Sequence, residues 1–189
     1  MRKMLALLVL LTLGCATTPH PQIAFLLQPP PSHPPCTRKL TLTLAPLTAD
    51  APYDTPLMAY SLSPLEVEFY AYHRWAAPLP RLITQAVREE MERWKCVTLM
   101  PYSPLHPVLQ GRILRFLHRF RDGQSWGEVT ISYTLVQGDR ILARRTFQAR
   151  TKAEENTPKG GALALNQALG KTMGELMRWL ERIEYTDTE

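Results

Sequence analysis

The chain lacks the apolar run of roughly 18 residues that a bilayer-spanning helix needs. Its longest, Met4 to Leu13, is ten residues long, so a spanning helix is excluded. Cysteine is scarce, with three in 189 residues and no Cys-x-x-Cys pair, and the five histidines, His20, His33, His73, His106 and His118, fall in no zinc-ligand spacing. No metal and no cofactor is expected. Gly-x-Ser-x-Gly and His-Glu-x-x-His are missing. Gly170-Lys171-Thr172 copies the end of a phosphate-binding loop, but the position five before Gly170 is Leu165 and the segment reads as mid-helix. Glu89-Glu90 and Glu154-Glu155 fall where wet helix or loop is expected, so general acid–base catalysis has no local support. No enzyme class is indicated. A strong charge of one sign is missing too: 22 basic residues less Arg2 and Lys3, against 17 acidic ones, leave +3. That is too modest to indicate nucleic acid as a partner. What remains, 45% hydrophobic and 21% charged residues, is ordinary globular composition for one core.

The first residues concern location. Met1-Arg2-Lys3 is a positive segment, Met4 to Leu13 an apolar core of export-signal length, and Gly14-Cys15-Ala16 a run of small residues. Leu11-Thr12-Leu13-Gly14-Cys15 resembles the lipobox of bacterial lipoproteins, in which cleavage exposes a cysteine whose thiol then carries a diacylglycerol. It departs in having Thr12, not Leu, three residues before the cysteine. Residues 1–14 are then the signal peptide, 15–22 the lipidated Cys15 and a tether, and 23–189 one domain. The competing reading is cleavage after Ala16 and a protein without an anchor. Ala16 rather than Asp after the cysteine points, by the usual sorting rule, to the periplasmic side of the outer membrane. Export leaves Cys36 and Cys96 as a pair in an oxidising compartment. Cys36 precedes a predicted strand and Cys96 follows a predicted helix, so a bridge would close a loop of about 60 residues. Two free thiols are the alternative.

Residues 16–37 contain seven prolines, which favours extended chain over helix. Ile23 to Leu27 offers a strand within it. Leu and Thr alternate through Leu40–Leu44 as in a half-buried strand ended by Pro46. Leu57–Leu62 and Glu66–Tyr70 read as a hairpin around Ser63-Pro64. Pro80 opens a helix whose stripe is Leu79, Leu82, Ile83, Ala86, Val87, Met91 and Trp94, with Arg81, Arg88, Glu89 and Glu92 on the wet side. After a short strand at Val97–Met100, a meander runs through Val108–Phe120, Glu128–Val136 and Arg140–Arg150, turning near Asp122-Gly123 and at Gly138-Asp139. Thr157-Pro158 caps a last helix with Leu165, Leu169, Met173, Leu176, Leu180 and Ile183 at three- and four-residue steps. The order describes an α+β fold, a mainly antiparallel mixed sheet with two amphipathic helices packed on one face.

The run Phe69-Tyr70-Ala71-Tyr72-His73-Arg74-Trp75-Ala76-Ala77-Pro78-Leu79, followed at once by an amphipathic helix, resembles the signature of the ABC-type transport auxiliary lipoproteins, of which the paraquat-inducible protein C branch is the best known. Arg74, Trp75, Ala76, Pro78 and Leu79 match in place, while Ala77 stands where the family usually has Glu. Phe25-Leu26-Leu27, Leu40–Pro46 and Trp179-Leu180 extend the resemblance over most of the chain. It implies a periplasmic lipoprotein, anchored to a membrane by lipid, whose partners are a mammalian-cell-entry-domain protein and an ABC transporter or integral-membrane component. Such systems move phospholipid or other lipids between membranes.

Candidate partner-binding residues are Arg74 and Trp75 at the corner, and Arg115 and Arg144 within the meander set Arg112, Arg115, Arg119, Arg144 and Arg150. For Trp75 the competing role is packing against the helix start; for the arginines it is an ordinary solvated sheet face, against attraction to anionic headgroups or an acidic partner. The reading that results is a non-catalytic docking lipoprotein. Its rivals are a carrier holding an acyl chain between sheet and helices, and a structural envelope lipoprotein with no transport role.

Overall fold

The computed structural model describes residues 21–183; Cys15 and the signal segment lie outside the described residues. The spine is β7 (Val108–Arg121), which with β8 (Gln124–Gln137) and β9 (Arg140–Lys152) forms the expected meander. Asp122 and Gly123, at φ 50° and 70°, turn the chain between β7 and β8. Such left-handed positions favour Gly and, less strongly, Asp. Along the other edge of β7 three short strands follow one another, all parallel to it: β2 (Leu40–Leu44), β3 (Thr48–Ala49) and β4 (Leu57–Ser61). β5 (Glu68–Trp75) pairs antiparallel with β4, β1 (Ile23–Phe25) lies parallel to β5, and β6 (Val97–Leu99) parallel to β2. Five of the eight strand pairs among the described residues are parallel, but the two long meander ladders make most paired residues antiparallel.

Two helices complete the α+β fold. α1 (Leu79–Trp94) packs near β3 and β6, and α2 (Pro158–Arg182) lies across β7, β8 and β9. Thr157 caps α2 as its sequence predicts, its hydroxyl accepting from Gly160 N at 3.1 Å, with Pro158 in the first turn. In β8, Val129, Ile131, Tyr133 and Leu135 turn inward and meet Leu165, Leu169, Met173 and Leu176 of α2, all buried.

The proline-rich stretch is the main addition to the sequence reading. After β1 the chain crosses as a strap between the two helices. It has few N–H groups to satisfy, and those find side chains. Gln28 N donates to Asn166 Oδ1 (2.5 Å), Ser32 N to Glu90 Oε1 (2.8 Å) and Thr37 N to Glu181 Oε1 (2.7 Å). Trp94 Nε1 donates to Pro34 O at 2.7 Å. Gly170 and Gly174 leave room for it, since a Cβ at Gly174 would fall 2.2 Å from Ser32 Oγ and one at Gly170 2.8 Å from Pro30 O. The false phosphate-loop glycine thus marks a close approach. Cys36 at the strap's end is joined to Cys96 behind α1, with Cα atoms 5.5 Å apart.

One expectation is corrected here. Glu90 is not on the wet face of α1; its side chain is fully buried. Oε1 takes the Ser32 amide and His33 Nδ1 (2.9 Å), and Oε2 accepts from Arg93 Nη2 (2.7 Å) and Nε (3.1 Å). Burial alone would raise its carboxyl pKa; bonds from His33, Ser32 and Arg93, with the Arg93 charge, outweigh burial and hold it below the ordinary value.

Candidate functional site

The Arg-Trp corner is built where β5 runs into α1. Trp75 N donates to Pro56 O (2.7 Å) and Ala76 N to Phe25 O (2.8 Å), so the end of β5 is fixed from both sides. Pro78 occupies the N-cap position and Pro80 the first turn. Trp75 is fully buried, its ring edge-on to Phe116 at 5.5 Å and tilted to Phe25 at 6.3 Å. It therefore offers a partner no surface and leaves the partner-binding set. The apolar side of a strand-to-helix corner takes it instead. Arg74, next in the strand and pointing the other way, is half-buried opposite Ala24 and Leu57, and Ala77 is half-buried beyond it.

The five meander arginines do not form one patch. Arg112 pairs with Asp50, and Arg144 donates to Thr134 Oγ1 at 3.1 Å. Arg115, Arg119 and Arg150 converge instead on one carboxylate, that of Glu128, at 3.7, 3.6 and 3.7 Å. Three guanidinium groups share one anion at more than hydrogen-bond length, leaving a basic surplus. Arg150 is stacked over Trp126 at 3.9 Å, which fixes its head in place. Arg119 Nη1 donates to Ser61 Oγ (2.6 Å) and to Ser63 O (2.7 Å), tying the β4–β5 loop to the cluster. Leu62, Pro64 and Phe120 join the arginines around a groove of about 450 Å³.

Sequence reasoning missed Glu128 as the hub. Its register partner is Arg150 only because Leu142 is an extra residue between the pairs Val136↔Ile141 and Leu135↔Ala143. A regular hairpin counted from Gly138-Asp139 would set Glu128 against Ala149.

Behind the sheet, His118 is fully buried, bonded through Nδ1 to Tyr70 Oη at 2.8 Å and pressed against Gly161. Burial pushes its pKa down to about 4. Among the described residues no group of three or more His, Cys, Asp or Glu is placed to hold a metal ion, and no helix is long and apolar enough to cross a membrane.

A mixed sheet flanked by two helices, braced by a strap and carrying charge on its bare side, defines the α+β class of this protein. It is similar to a crystal structure of protein XCC0632 from Xanthomonas campestris. That match has a TM-score of 0.76 and 20% identity, over 84% of this chain and 94% of that one. It is also similar to the hypothetical protein CT253 from Chlamydia trachomatis, with a TM-score of 0.51 and 8% identity, over 77% and 97%. At such identities the likeness is one of fold. No curated protein matches the sequence. The family model for the ABC-type transport auxiliary lipoprotein component matches residues 25–176, and the chain belongs to that family.

Proposed function

We propose that this protein is a non-catalytic docking component of an ABC-type, mammalian-cell-entry-type system that moves lipid between membranes. It is held at the periplasmic side of the outer membrane by acyl chains on Cys15. Family membership supports the lipoprotein and the link to ABC-type transport. The Cys36–Cys96 bridge favours an oxidising compartment.

The observation that carries docking over lipid carriage is the filled interior. The space between sheet and helices, which an acyl chain would need, is taken by Trp75, Phe116, Ile131, Met173 and Leu176, all at most 1% exposed. The groove between the helices holds the strap. Acyl chains on Cys15 would confine the domain near its membrane and raise the effective concentration of a weak contact with the transport protein. Arg74 on β5 and Arg144 on β9, on opposite sides of β7 in the sheet, are the candidate contacts for that protein. Arg115 belongs to the groove.

The test is affinity purification of the C-terminally tagged chain from gently solubilised envelopes. Co-elution of a mammalian-cell-entry-domain protein, with an acylated Cys15 in the N-terminal peptide, is the expected result. Recovery of the protein alone, cleaved after Ala16, would overturn both partner and place. Arg144→Glu should lower the yield of partner without changing the yield of the bait.

A further inference from the structure

The end of the sheet that carries the Glu128 arginine cluster also carries the most exposed large apolar side chain among the described residues, Leu65; the next two, Tyr102 and Leu105, lie on the loop between β6 and β7, where Leu105 O accepts from Gln137 Nε2 near the β8–β9 turn. Leu65, at the tip of the β4–β5 loop, is 96% exposed, and Leu62 beside it is 60% exposed. Val67 and Phe69 follow on the same stretch, each exposed. The loop is held in this posture. Arg119 binds Ser61 and Ser63 at its base, and Ser63 Oγ accepts from Leu65 N at 3.3 Å. A rigid loop presenting two leucines beside three arginines that share one carboxylate is a pairing of apolar tip and basic collar. A bilayer surface accommodates both, the leucines below the headgroups and the guanidinium groups among the phosphates.

The strand direction of β1, taken with the lipid anchor proposed on Cys15, gives the direction of the membrane. β1 is parallel to β5, Ile23 pairing with His73, so Pro21 and Gln22 enter β1 from the side of Glu68 and the loop. Five residues of strand separate His73 from Glu68, about 17 Å at ~3.3 Å per residue. The eight residues from Cys15 to Gln22 span about 25 Å when extended. Eight residues are thus long enough for a lipid on Cys15 to be at the level of the loop. The β8–β9 turn at Gly138-Asp139 lies at the opposite end of the sheet.

We propose that the Leu62–Leu65 loop and the Arg115/Arg119/Arg150 cluster form a second membrane contact, seating this end of the domain on a phospholipid surface with a preference for anionic headgroups. The proposal rests on Cys15 being the lipid anchor for its direction, and on the loop and cluster for its chemistry. Arg121 is answered by Asp122 at 3.2 Å and Glu66 sits on the loop itself, so the basic surplus is local to the groove. Anionic lipid strengthens the contact; the leucines make it. Seated this way, the domain turns its β8–β9 end, with Arg144 nearby, away from the anchoring membrane.

The experiment uses the full chain purified from membranes and reconstituted in vesicles. One preparation carries an environment-sensitive fluorophore at Leu65→Cys and another at Ile141→Cys, the bridged cysteines being unreactive. Vesicles contain phosphatidylethanolamine with or without phosphatidylglycerol, and nitroxide-labelled lipid as quencher. The expected result is a blue-shifted, quenched probe at position 65 and a water-exposed, unquenched one at 141, the contrast growing with phosphatidylglycerol. A Leu62→Ser, Leu65→Ser pair in the unanchored Cys15→Ser chain should lower vesicle partitioning about tenfold. A probe at 65 that stays in water overturns the proposal, as does equal quenching at 65 and 141. So does protection of position 65 only when an envelope protein is added, which would make the occupant a protein. The mass of the N-terminal peptide separates the anchor from the contact. A lipidated chain with position 65 in water keeps the anchor and loses the contact. An unlipidated chain with position 65 quenched keeps the contact and loses the anchor.

Discussion

Glu90 and Glu128 both face basic groups, and they are used in opposite ways. Glu90 lies between helix and strap, fully buried, with its partners at 2.7–3.1 Å. Glu128 lies on the bare face, 18% exposed, with three arginines at 3.6–3.7 Å. In the first case the carboxylate is saturated and the groups around it are committed to holding the chain together. In the second the cations outnumber the anion, and while Arg119 is committed to Ser61 and Ser63, Arg115 and Arg150 are about half exposed and keep most of their capacity. Burial and distance, not residue type, divide a structural charge from an available one.

The covered side should be costly to disturb. Its largest single contribution is the Cys36–Cys96 bridge across a separation of 60 residues. Loop-closure entropy for such a ring gives about 4 kcal/mol, so a Cys36→Ser, Cys96→Ser variant should lose about that much stability in urea denaturation. Intact-mass analysis should show no alkylation of these cysteines before reduction and two additions after it. Next is Glu90→Ala, which strips the Ser32 amide, His33 and Arg93 of their acceptor at once. About 3 kcal/mol is expected, with faster amide exchange at Ser32 as the local readout. A loss under 1 kcal/mol would put Glu90 in the same class as Glu128 and erase the contrast.

Acid should sharpen the same difference. His118, pushed to about 4 by burial, refuses a proton that the unfolded chain accepts near pH 6.5. A group with its folded pKa depressed contributes its full stability above the unfolded value and loses it as the pH falls. Stability should therefore fall by about 2 kcal/mol between pH 7 and pH 5, and His118→Gln should flatten that slope. Glu90, also held low, adds a further loss only below its ordinary value of about 4.5.

Much of the covered side could be read in the sequence because it obeys period. The stripes of α1 and α2, the Thr157-Pro158 cap and the alternation in β8 are local patterns that burial turns into contacts. The strap was legible as extended chain but not as packing. Nothing in a row of prolines says which helix face it will meet; the paired signal, Gly170 and Gly174 one turn apart on α2, gains meaning only when Pro30 and Ser32 lie against it. Trp75 reads first as corner packing, with partner contact as the second role, and the two stay open because an aromatic pattern does not tell which side of a strand is covered. The arginine cluster was hidden by register. Leu114 and Leu142 each add one residue to a strand, and the second of these shifts brings Arg150 opposite Glu128.

The smallest expected effect on stability is the most informative about the bare face. Glu128→Gln removes the one carboxylate that Arg115, Arg119 and Arg150 share, while keeping the side chain's shape. Their pairs are long and two of the three arginines are about half exposed, so stability in urea should change by less than about 1 kcal/mol. The groove, however, gains a full positive charge. One charge beside an anionic surface contributes about 1 kcal/mol, so binding to phosphatidylglycerol vesicles should tighten about fivefold and weaken again with salt. A stability loss near that of Glu90→Ala would mean that the arginines are held by Glu128 as a structural unit. Unchanged vesicle binding at unchanged stability would mean that the leucines alone make the contact and the arginines are simply a wet face.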